Sequence, residues 1–299
     1  MQQNKWQANK IGLQIEMNNI SSHSLILGGE KALNKISETP RLDSELLLAK
    51  VLKVDRVQFY YKDIFPEKKQ VQTYEALLKK RMDGIPIAYL TGYKEFWSLP
   101  LKVNQDTLIP RPETEHLVQQ SLVRLDNLEK NYQVLELGTG CGAVAIALAK
   151  ERPKASIFAT DVSPKALKIG KYNAKKFQIS NIQFICSDWL NGISDLKFDL
   201  IISNPPYVDV KQTNDYDSVS LSHEPRVALF ADDQGRSCIK EITQESIKFL
   251  KRDGWLIIEH GYNQSDLCQQ LMQSFQLRAI QTTLDYSGIG RITAGQRYA

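Results

Sequence analysis

Four consecutive residues, Asn204-Pro205-Pro206-Tyr207, have the side chains in this chain that are best suited to chemistry. They follow an apolar run from Phe198, whose length and composition predict a buried parallel strand. Proline has no N–H for a sheet ladder, and the residue before a proline is held in extended geometry. The strand must therefore end at Asn204. The four-residue segment then presents to a ligand the Asn204 amide, a free carbonyl oxygen and the Tyr207 ring. The simpler alternative is a strand followed by an ordinary proline-rich turn.

A second candidate segment is the glycine-rich turn Gly138-Thr139-Gly140-Cys141-Gly142, between a predicted strand and a predicted helix. Glycines at alternate positions allow a tight turn and let a ligand approach the main chain. The spacing differs from the G-x-G-x-x-G pattern that accommodates a pyrophosphate at a helix N-terminus. Glu136 comes just before the turn. Its carboxylate would repel a phosphate but would suit an ammonium group or a ribose.

Acidic residues also follow the next two predicted strands. Asp161 ends one strand, where a carboxylate typically accepts hydrogen bonds from ribose hydroxyls. Its alternative role is to cap the next helix, but Ser163 can supply that cap. Asp188 and Trp189 follow the third strand, where the acid can accept from an exocyclic amine and the indole can cover an adenine face. Trp189 is alternatively a core packing residue.

From Gln133 onward, apolar strand-length runs alternate with helical patterns, which predicts an α/β fold with a doubly wound parallel sheet. The last two strands lack a helix between them and are expected to form an antiparallel pair at one edge. Seven strands are predicted, at 133–138, 156–161, 182–187, 198–204, 254–260, 278–285 and 291–298. Four helices are predicted between them, at 142–151, 163–177, 235–252 and 264–276.

The chain before this sheet divides into four parts. Residues 1–21 are polar and predict a disordered extension, in which residues 1–16 are expected to be dispensable because translation can also start at Met17. Residues 22–84 show helical spacing of leucines and predict a small helical domain. Residues 85–109 predict a hairpin linker, and 110–299 a catalytic domain. The catalytic domain is expected to open with a helix from Pro112 to about Leu128.

Composition excludes several classes of protein. The 299 residues are 42% hydrophobic and 24% charged, with no apolar run long enough to span a membrane and no secretory signal. The four cysteines form no C-x-x-C pair, so neither zinc nor a disulfide framework is indicated, and a cytoplasmic enzyme is expected. The net charge of +4 lies within residues 1–95, while residues 96–299 hold 23 basic and 23 acidic residues. The larger part therefore has no net field to attract nucleic acid.

The strand ends together resemble class I methyltransferases that use S-adenosylmethionine, which implies a Rossmann-like sheet of seven strands. The Asn204 to Tyr207 segment narrows this resemblance to enzymes that methylate a planar NH2 nitrogen. Three further stretches, Phe96 to Leu101, Leu108 to Glu115 and His223-Glu224-Pro225, resemble the HemK/PrmC family of protein-(glutamine-N5) methyltransferases. The resemblance covers residues 22–299 and includes the N-terminal helical domain.

This resemblance implies a substrate, a cofactor and a set of site residues. The substrate is the glutamine of the Gly-Gly-Gln loop of peptide chain release factors, and the enzyme is expected to act as a monomer without direct contact with nucleic acid or membrane. Asn204, Pro205 and Tyr207 would be catalytic, and with Pro206 would hold the glutamine. Cys141 stands where the family pattern has Thr, a small change. The residues expected to contact S-adenosylmethionine are Glu136, Gly138, Thr139, Gly140, Cys141, Gly142, Asp161, Asp188, Trp189 and Asn204.

Two other functions remain open on sequence grounds. A DNA or RNA adenine-N6 methyltransferase could use the same segment on a flipped base. Such an enzyme needs a target-recognition domain and a basic groove, which the neutral catalytic part and the small helical domain do not suggest. A non-catalytic assembly factor could also retain the fold for binding, although it would not need the complete set of strand-end residues. No metal ligands are indicated.

Overall fold

The computed structural model describes residues 20–209 and 221–298. The chain forms two compact units, one up to Thr91 and one from Gly92 onward. The predicted disordered extension, apart from residues 20 and 21, lies outside the described residues. Ser21 already belongs to the first unit, because its hydroxyl caps the first helix by accepting from the Ser24 N–H.

The first unit is a helical bundle, as predicted. Its core is formed by apolar side chains from each of its longer helices, chiefly Leu47, Leu48 and Tyr74. A buried ion pair between Arg81 and Asp43, at 2.7 Å, ties two of its helices together. Its elements are α1 (Ser22–Leu33), α2 (Pro40–Leu52), a 3-10 helix (Arg56–Tyr60), α3 (Lys68–Met82) and α4 (Ile87–Thr91).

The second unit opens with the predicted hairpin, in which β1 (Tyr93–Phe96) pairs antiparallel with β2 (Leu99–Lys102). Its two-residue turn places Trp97 at φ 52° and Ser98 at φ 57°. Two positive φ angles give the primed turn that matches the twist of the strands. The residues just before the hairpin form α4, so this part of the chain is helical rather than extended.

The main sheet has seven strands in the order β10-β11-β9-β6-β3-β4-β5. Strands β9, β6, β3, β4 and β5 are parallel, and β11 is antiparallel to both of its neighbours. Each predicted strand is present, with β9 extended toward its N-terminal end. The strands are β3 (Gln133–Leu137), β4 (Ser156–Asp161), β5 (Ile182–Cys186), β6 (Phe198–Ser203), β9 (Leu250–Glu259), β10 (Leu277–Leu284) and β11 (Gly290–Arg297).

Helices cover the sheet, and a short two-stranded sheet lies beside it. The helices are α5 (Glu115–Arg124), α6 (Ala143–Glu151), α7 (Pro164–Lys176), α8 (Arg226–Leu229), α9 (Asp232–Gly235), α10 (Ser237–Phe249) and α11 (Ser265–Ser274). The small sheet pairs β7 (Val208–Asp209) with β8 (Phe230–Ala231). In residues 20–209 and 221–298, no helix has the length and apolar composition needed to cross a membrane.

Two helices are shorter than predicted. The helix predicted at 235–252 corresponds to α10, which ends at Phe249 because β9 begins at Leu250. The other is α5. Pro112 begins a 3-10 helix that ends at Thr114, and α5 then ends at Arg124 rather than near Leu128. The cause lies in a distant residue. The guanidinium of Arg152 donates to the carbonyl oxygens of Leu122 at 3.1 Å and Leu125 at 2.5 Å, which satisfies the open carbonyls of the helix end.

The order of the strands in the main sheet indicates where a ligand site lies. Along the sheet, β4 and β5 lie on one side of β3, and β6 and β9 lie on the other. The order in which successive strands are added to the sheet therefore reverses between the parallel strands β3 and β6, where Leu137 pairs with Ser203. Ligands of open α/β sheets bind in the crevice outside the carboxyl ends of strands at such a switch point. The glycine-rich turn follows β3, and Asn204 follows β6, so both segments border this crevice.

Candidate active site

The glycine-rich turn connects β3 to α6 with three residues in the left-handed region. Gly138, Gly140 and Gly142 have φ angles of 74°, 56° and 83°. A side chain is strained at such angles, which explains the alternate glycines. A Cβ on Gly140 would meet open space, whereas one on Gly142 would press on Ile146 and on the Gly170 backbone. Gly140 therefore leaves room for a ligand, and Gly142 allows α6 and α7 to pack closely.

Glu136 lies beneath this turn and not in the crevice. Its Oε2 accepts from the Thr139 hydroxyl at 2.6 Å and from the Ala145 N–H at 2.9 Å, so it caps the N-terminus of α6. Burial raises the pKa of the Glu136 carboxyl to about 8, although these two donors lower it. The interactions of Glu136 in the structure are therefore those of a residue that supports the turn.

Asp161 ends β4 beside the turn and borders the crevice. Its two carboxylate oxygens accept from the Gly140 N–H and the Ser163 N–H, each at 2.8 Å. Burial raises its pKa, and the two backbone donors lower it. A carboxylate has about four lone-pair sites, so capacity remains for a ligand with hydroxyl groups. Ser163 caps α7 by accepting from the Ala166 N–H, as the sequence indicated.

Trp189 forms the wall opposite the turn. Its backbone has a φ of 44°, and a Cβ on Gly138 would lie 3.5 Å from its ring. The Ser187 hydroxyl donates to the Trp189 carbonyl oxygen at 3.1 Å and accepts from the Gly192 N–H at 2.7 Å, which holds the loop after β5 in place. The indole is therefore a fixed apolar surface at the crevice, with Asp188 next to it.

Asn204 projects from the end of β6 as predicted. Its Nδ2 donates to the Thr114 hydroxyl at 3.1 Å. The chain then continues through Pro205 to Tyr207, whose carbonyl oxygen accepts from Gln264 Nε2 at 3.3 Å. The same Nε2 lies 3.3 Å from the Gly235 carbonyl oxygen. Gln264 therefore holds the end of the Asn204 to Tyr207 segment against α9.

Two cavities meet at Asn204. The larger has a volume of about 290 Å³ and the smaller about 190 Å³, and Leu108, Asn204 and Ala228 line both. The larger cavity is also lined by Gly138, Gly140, Asp161, Asp188, Trp189 and Pro206. The smaller is lined by Pro205 and Tyr207. A molecule in one cavity can therefore reach a molecule in the other beside the Asn204 amide.

The wall shared by both cavities is clamped by a buried carboxylate that the sequence did not single out. Glu224 accepts from the Ile109 N–H at 3.0 Å and from Arg111 Nη2 at 2.5 Å. Glu224 is 5% exposed, so water competes little for these bonds. It fixes the segment that contains Leu108. The sequence offered one signal, since both Glu224 and Arg111 belong to stretches that carried the family resemblance.

The larger cavity suits S-adenosylmethionine. Asp161 has acceptor capacity for a ribose, Gly140 leaves the main chain open, and the fixed Trp189 ring offers an apolar surface for a base. Of the predicted cofactor contacts, Thr139, Cys141 and Gly142 lie behind the cavity with Glu136 and do not line it. Burial raises the pKa of the Cys141 thiol to about 12, so it has no thiolate chemistry.

Within residues 20–209 and 221–298, no cluster of three or more His, Cys, Asp or Glu side chains could hold a metal ion. His260 is buried, and its two ring nitrogens lie 3.0 Å from the Gly261 carbonyl oxygen and 2.9 Å from the Thr293 hydroxyl. Burial lowers its pKa, and it lines neither cavity.

Comparison with protein families supports the assignment of the first unit as an N-terminal helical domain and of the second as a methyltransferase domain. The family model described as PrmC N-terminal domain matches residues 24–92, and the model described as Methyltransferase small domain matches residues 115–229. The release factor glutamine methyltransferase of Coxiella burnetii is 46% identical, covering 89% of this chain and 95% of that protein. The enzyme of the same name from Escherichia coli is 42% identical, covering 88% and 94%.

Solved structures with low sequence identity show the same fold. The hMettl16 catalytic domain superposes with a TM-score of 0.56 at 14% identity, covering 80% of this chain and 85% of that one. A methyltransferase from Pyrococcus furiosus superposes with a TM-score of 0.50 at 14% identity, covering 67% and 90%. At such identities the likeness shows a class I methyltransferase fold and no more.

Proposed function

This chain belongs to the release factor glutamine methyltransferase family, and from that premise we propose that it methylates a glutamine of a peptide chain release factor with S-adenosylmethionine. The proposed target is the side-chain nitrogen N5 of the glutamine in the Gly-Gly-Gln loop. One observation carries the proposal: Asn204 lines both cavities, so its amide lies where a ligand in one can meet a ligand in the other.

The larger cavity is the proposed cofactor site. Asp161 would hold the ribose hydroxyls, Asp188 the exocyclic amine and Trp189 the adenine face, with Gly138 and Gly140 allowing close approach of the main chain. S-adenosylmethionine supplies there an electrophilic methyl group on a positively charged sulfur. The Trp189 wall, the buried Pro205 and the half-buried Pro206 limit the access of water, which favours a reaction that disperses charge.

The Asn204 to Tyr207 segment is the proposed binding site for the glutamine amide. An amide nitrogen is a weak nucleophile because its lone pair is delocalised into the carbonyl. The Asn204 side-chain oxygen and the Pro205 carbonyl oxygen can accept from its two N–H groups. No backbone N–H in residues 20–209 or 221–298 donates to the Pro205 carbonyl oxygen. Holding both N–H groups fixes the orientation of the nitrogen, and orientation accounts for several of the ~7–11 kcal/mol that positioning supplies.

No general base is needed before methyl transfer. The nitrogen attacks through its lone pair, and it becomes acidic only once it is methylated. Tyr207 lines the smaller cavity, and its ring is proposed to press on the plane of the amide. This scheme explains why neither cavity is lined by a histidine.

The helical unit is the proposed contact for the release factor body. It carries exposed apolar side chains after α2, with Tyr61 at 68% and Phe65 at 58% exposure. Residues 1–95 also hold 15 basic against 11 acidic residues, which suits a partner with an acidic surface. Contacts remote from the reacting nitrogen can raise the chemical rate as well as the affinity.

We further propose that the enzyme acts in the cytoplasm, as a monomer and without direct nucleic-acid contact. All four cysteines are free, which fits a reducing compartment. Residues 96–299 hold equal numbers of basic and acidic residues, which gives no net attraction for a phosphate backbone.

The test is intact-mass analysis of a release factor after incubation with the enzyme and S-adenosylmethionine. A gain of one methyl group on the Gly-Gly-Gln glutamine, located by peptide mapping, supports the proposal. Asn204→Ala should lower kcat more than tenfold, since a lost acceptor for a buried N–H costs about 1–3 kcal/mol and more in the transition state. Methylation of adenine in DNA, with none on the release factor, would contradict it.

The role of the helical unit needs its own variant. Tyr61→Ala combined with Phe65→Ala should raise KM for the release factor and leave cofactor affinity unchanged, as measured by calorimetry. Ile36→Ala, which truncates another exposed apolar side chain of the same unit, is the matched control. A KM equal to that of the unaltered enzyme would remove Tyr61 and Phe65 from the docking surface.

A further inference from the structure

A buried carboxyl at the end of β9 lies behind the Asn204 amide. Glu259 is the last residue of β9 and is 2% exposed. The neighbouring pair Ile258 and Ser203 aligns β9 with β6, so Glu259 and Asn204 come next at the same sheet edge. Its Oε2 has no hydrogen-bond partner in the part of the chain that the structure describes. Since buried polar atoms are rarely left without partners, this carboxyl calls for an explanation.

Thr114 links this carboxyl to the asparagine. Asn204 Nδ2 donates to the Thr114 hydroxyl oxygen at 3.1 Å. A hydroxyl has one hydrogen as well as its lone pairs, so Thr114 can accept from Asn204 and still donate its own hydrogen. The Thr114 hydroxyl and the Asn204 amide both lie close enough to the Glu259 carboxyl to lower its pKa. Thr114 is 5% exposed, so water does not compete for its hydroxyl.

We propose that Glu259 is a positioning residue which, together with Thr114, orients the Asn204 amide for methyl transfer. The nitrogen and oxygen of an asparagine amide point in different directions from the same carbon. With Nδ2 held by the buried Thr114 hydroxyl and facing the Glu259 carboxyl, Oδ1 is left for the cavities that Asn204 lines. There Oδ1 can accept from the substrate N–H. If the amide were flipped, the Nδ2 donor would face the substrate N–H, which is also a donor. This inference rests on the proposed function and adds the source of the Asn204 orientation.

The charge state of Glu259 gives the proposal a second observable. Burial and, to a smaller extent, the nearby Glu113 carboxylate raise the pKa of this carboxyl to about 7, although Arg291 lowers it. Arg291 is itself paired with Asp285 at 3.0 Å. The ring of the adjacent His260 is bonded to Gly261 and Thr293 instead. An ionised carboxyl can accept from both Thr114 and Asn204, whereas a protonated one carries a hydrogen on one oxygen and has fewer acceptor sites. We therefore expect kcat to fall as the pH falls below about 7.

Two substitutions test this role in the full-length enzyme. Glu259→Gln keeps the shape but cannot ionise, and Thr114→Val removes the linking hydroxyl. Each should lower kcat at pH 8 by about tenfold or more, a change of about 1.4 kcal/mol in the barrier. Cofactor affinity by calorimetry should stay within about threefold. Glu259→Gln should also abolish the fall in kcat between pH 8 and pH 6.

Matched variants separate positioning from mere loss of stability. Thr114→Ser restores a hydroxyl and should recover most of the rate. Thr243→Val removes a buried hydroxyl on α10 that donates only to the Ile239 carbonyl oxygen, and it should leave kcat unchanged. Melting temperatures of all four variants show which of them fold.

The outcomes that overturn the inference are distinct from a failure of the proposed function. If the unaltered enzyme methylates the release factor and Glu259→Gln retains both its kcat and its pH profile, the positioning role is wrong and the function stands. If Glu259→Gln does not fold, Thr114→Val carries the test, and an unchanged kcat in that variant overturns the role. Absence of methyl transfer by the unaltered enzyme would instead refute the proposed function.

Discussion

Gly235 lies against the main chain of Tyr207, and its replacement by alanine should slow methyl transfer without unfolding the protein. An added Cβ would lie 2.0 Å from the Tyr207 carbonyl oxygen and 2.7 Å from its carbonyl carbon, whereas real Cβ atoms essentially never come within 3.0 Å of such atoms. One of the two backbones must therefore move by about 1 Å. A displacement of that size at a reacting group can cost about 100-fold in rate.

The chain offers a matched control for the backbone itself. Gly235 and Gly288 have the same φ of 77°, so alanine is strained at both positions by about 1–2 kcal/mol. A Cβ at Gly288, in the turn between β10 and β11, would meet nothing within 4 Å. Gly288→Ala therefore measures the cost of the φ angle alone, and the difference between the two variants isolates the contact with Tyr207.

The assay compares kcat for methyl transfer to the release factor, cofactor affinity and melting temperature in both variants. Gly288→Ala should lose some thermal stability and keep its kcat. Gly235→Ala should lose about 100-fold in kcat, because Tyr207 and the bond that it accepts from Gln264 are displaced together. Cofactor affinity should change much less, since Gly235 does not line the larger cavity. A folded Gly235→Ala enzyme with kcat within threefold of the unaltered one would refute this reasoning.

Two further predictions concern carboxyl side chains, one at the cofactor cavity and two in the interior. Asp161→Ala should weaken S-adenosylmethionine binding about tenfold or more by calorimetry while changing kcat at saturating cofactor much less, because a ribose contact is felt equally in the ground and transition states; an unchanged affinity would remove Asp161 from the cofactor site. The free energy of unfolding should fall between pH 5 and pH 8.5, because burial raises the folded pKa of Glu136 to about 8 and of Glu259 to about 7, from the ordinary value of 4.5. A carboxyl whose pKa is higher in the folded than in the unfolded protein contributes its full stabilisation of the fold at pH values below its unfolded pKa. That contribution is lost as the pH rises through the folded pKa. Glu136→Gln should flatten this decline, as measured by urea unfolding at both pH values, and an unchanged slope would show that Glu136 titrates normally.

Much of the catalytic fold can be predicted from sequence because its strands are short apolar runs with clear stops. Six of the seven predicted strands in the main sheet agree with the structure to within a residue at each end. The exception, β9, begins at Leu250 rather than near Gly254. The rule that ligands bind at the carboxyl ends of parallel strands placed Asp161 and Asn204 at the crevice, since it depends only on where each strand stops.

The same rule could not assign Glu136, because it lies one residue before the end of a strand that is buried on both faces. Alternation does not distinguish the two faces of such a strand, so the sequence does not show that this side chain turns toward α6. The end of α5 was predicted too late for a similar reason. Arg152, which donates hydrogen bonds to the carbonyl oxygens at the C-terminus of this helix, lies far along the chain. Glu259 offered a signal, as an acid at a strand end, but its link to Asn204 needs Thr114 and is visible only in three dimensions.

The position of β11 bears on how this enzyme is made. β11 is the last strand of the main sheet in chain order, yet it lies between β9 and β10 and pairs with both. During synthesis, the edges of β9 and β10 that pair with β11 must therefore stay without a partner strand until residues up to Arg297 have left the ribosome. Exposed strand edges invite pairing with other chains. A nascent chain interrupted before β11 would lose two ladders at once, so it should aggregate or be degraded rather than persist as a slightly shortened enzyme.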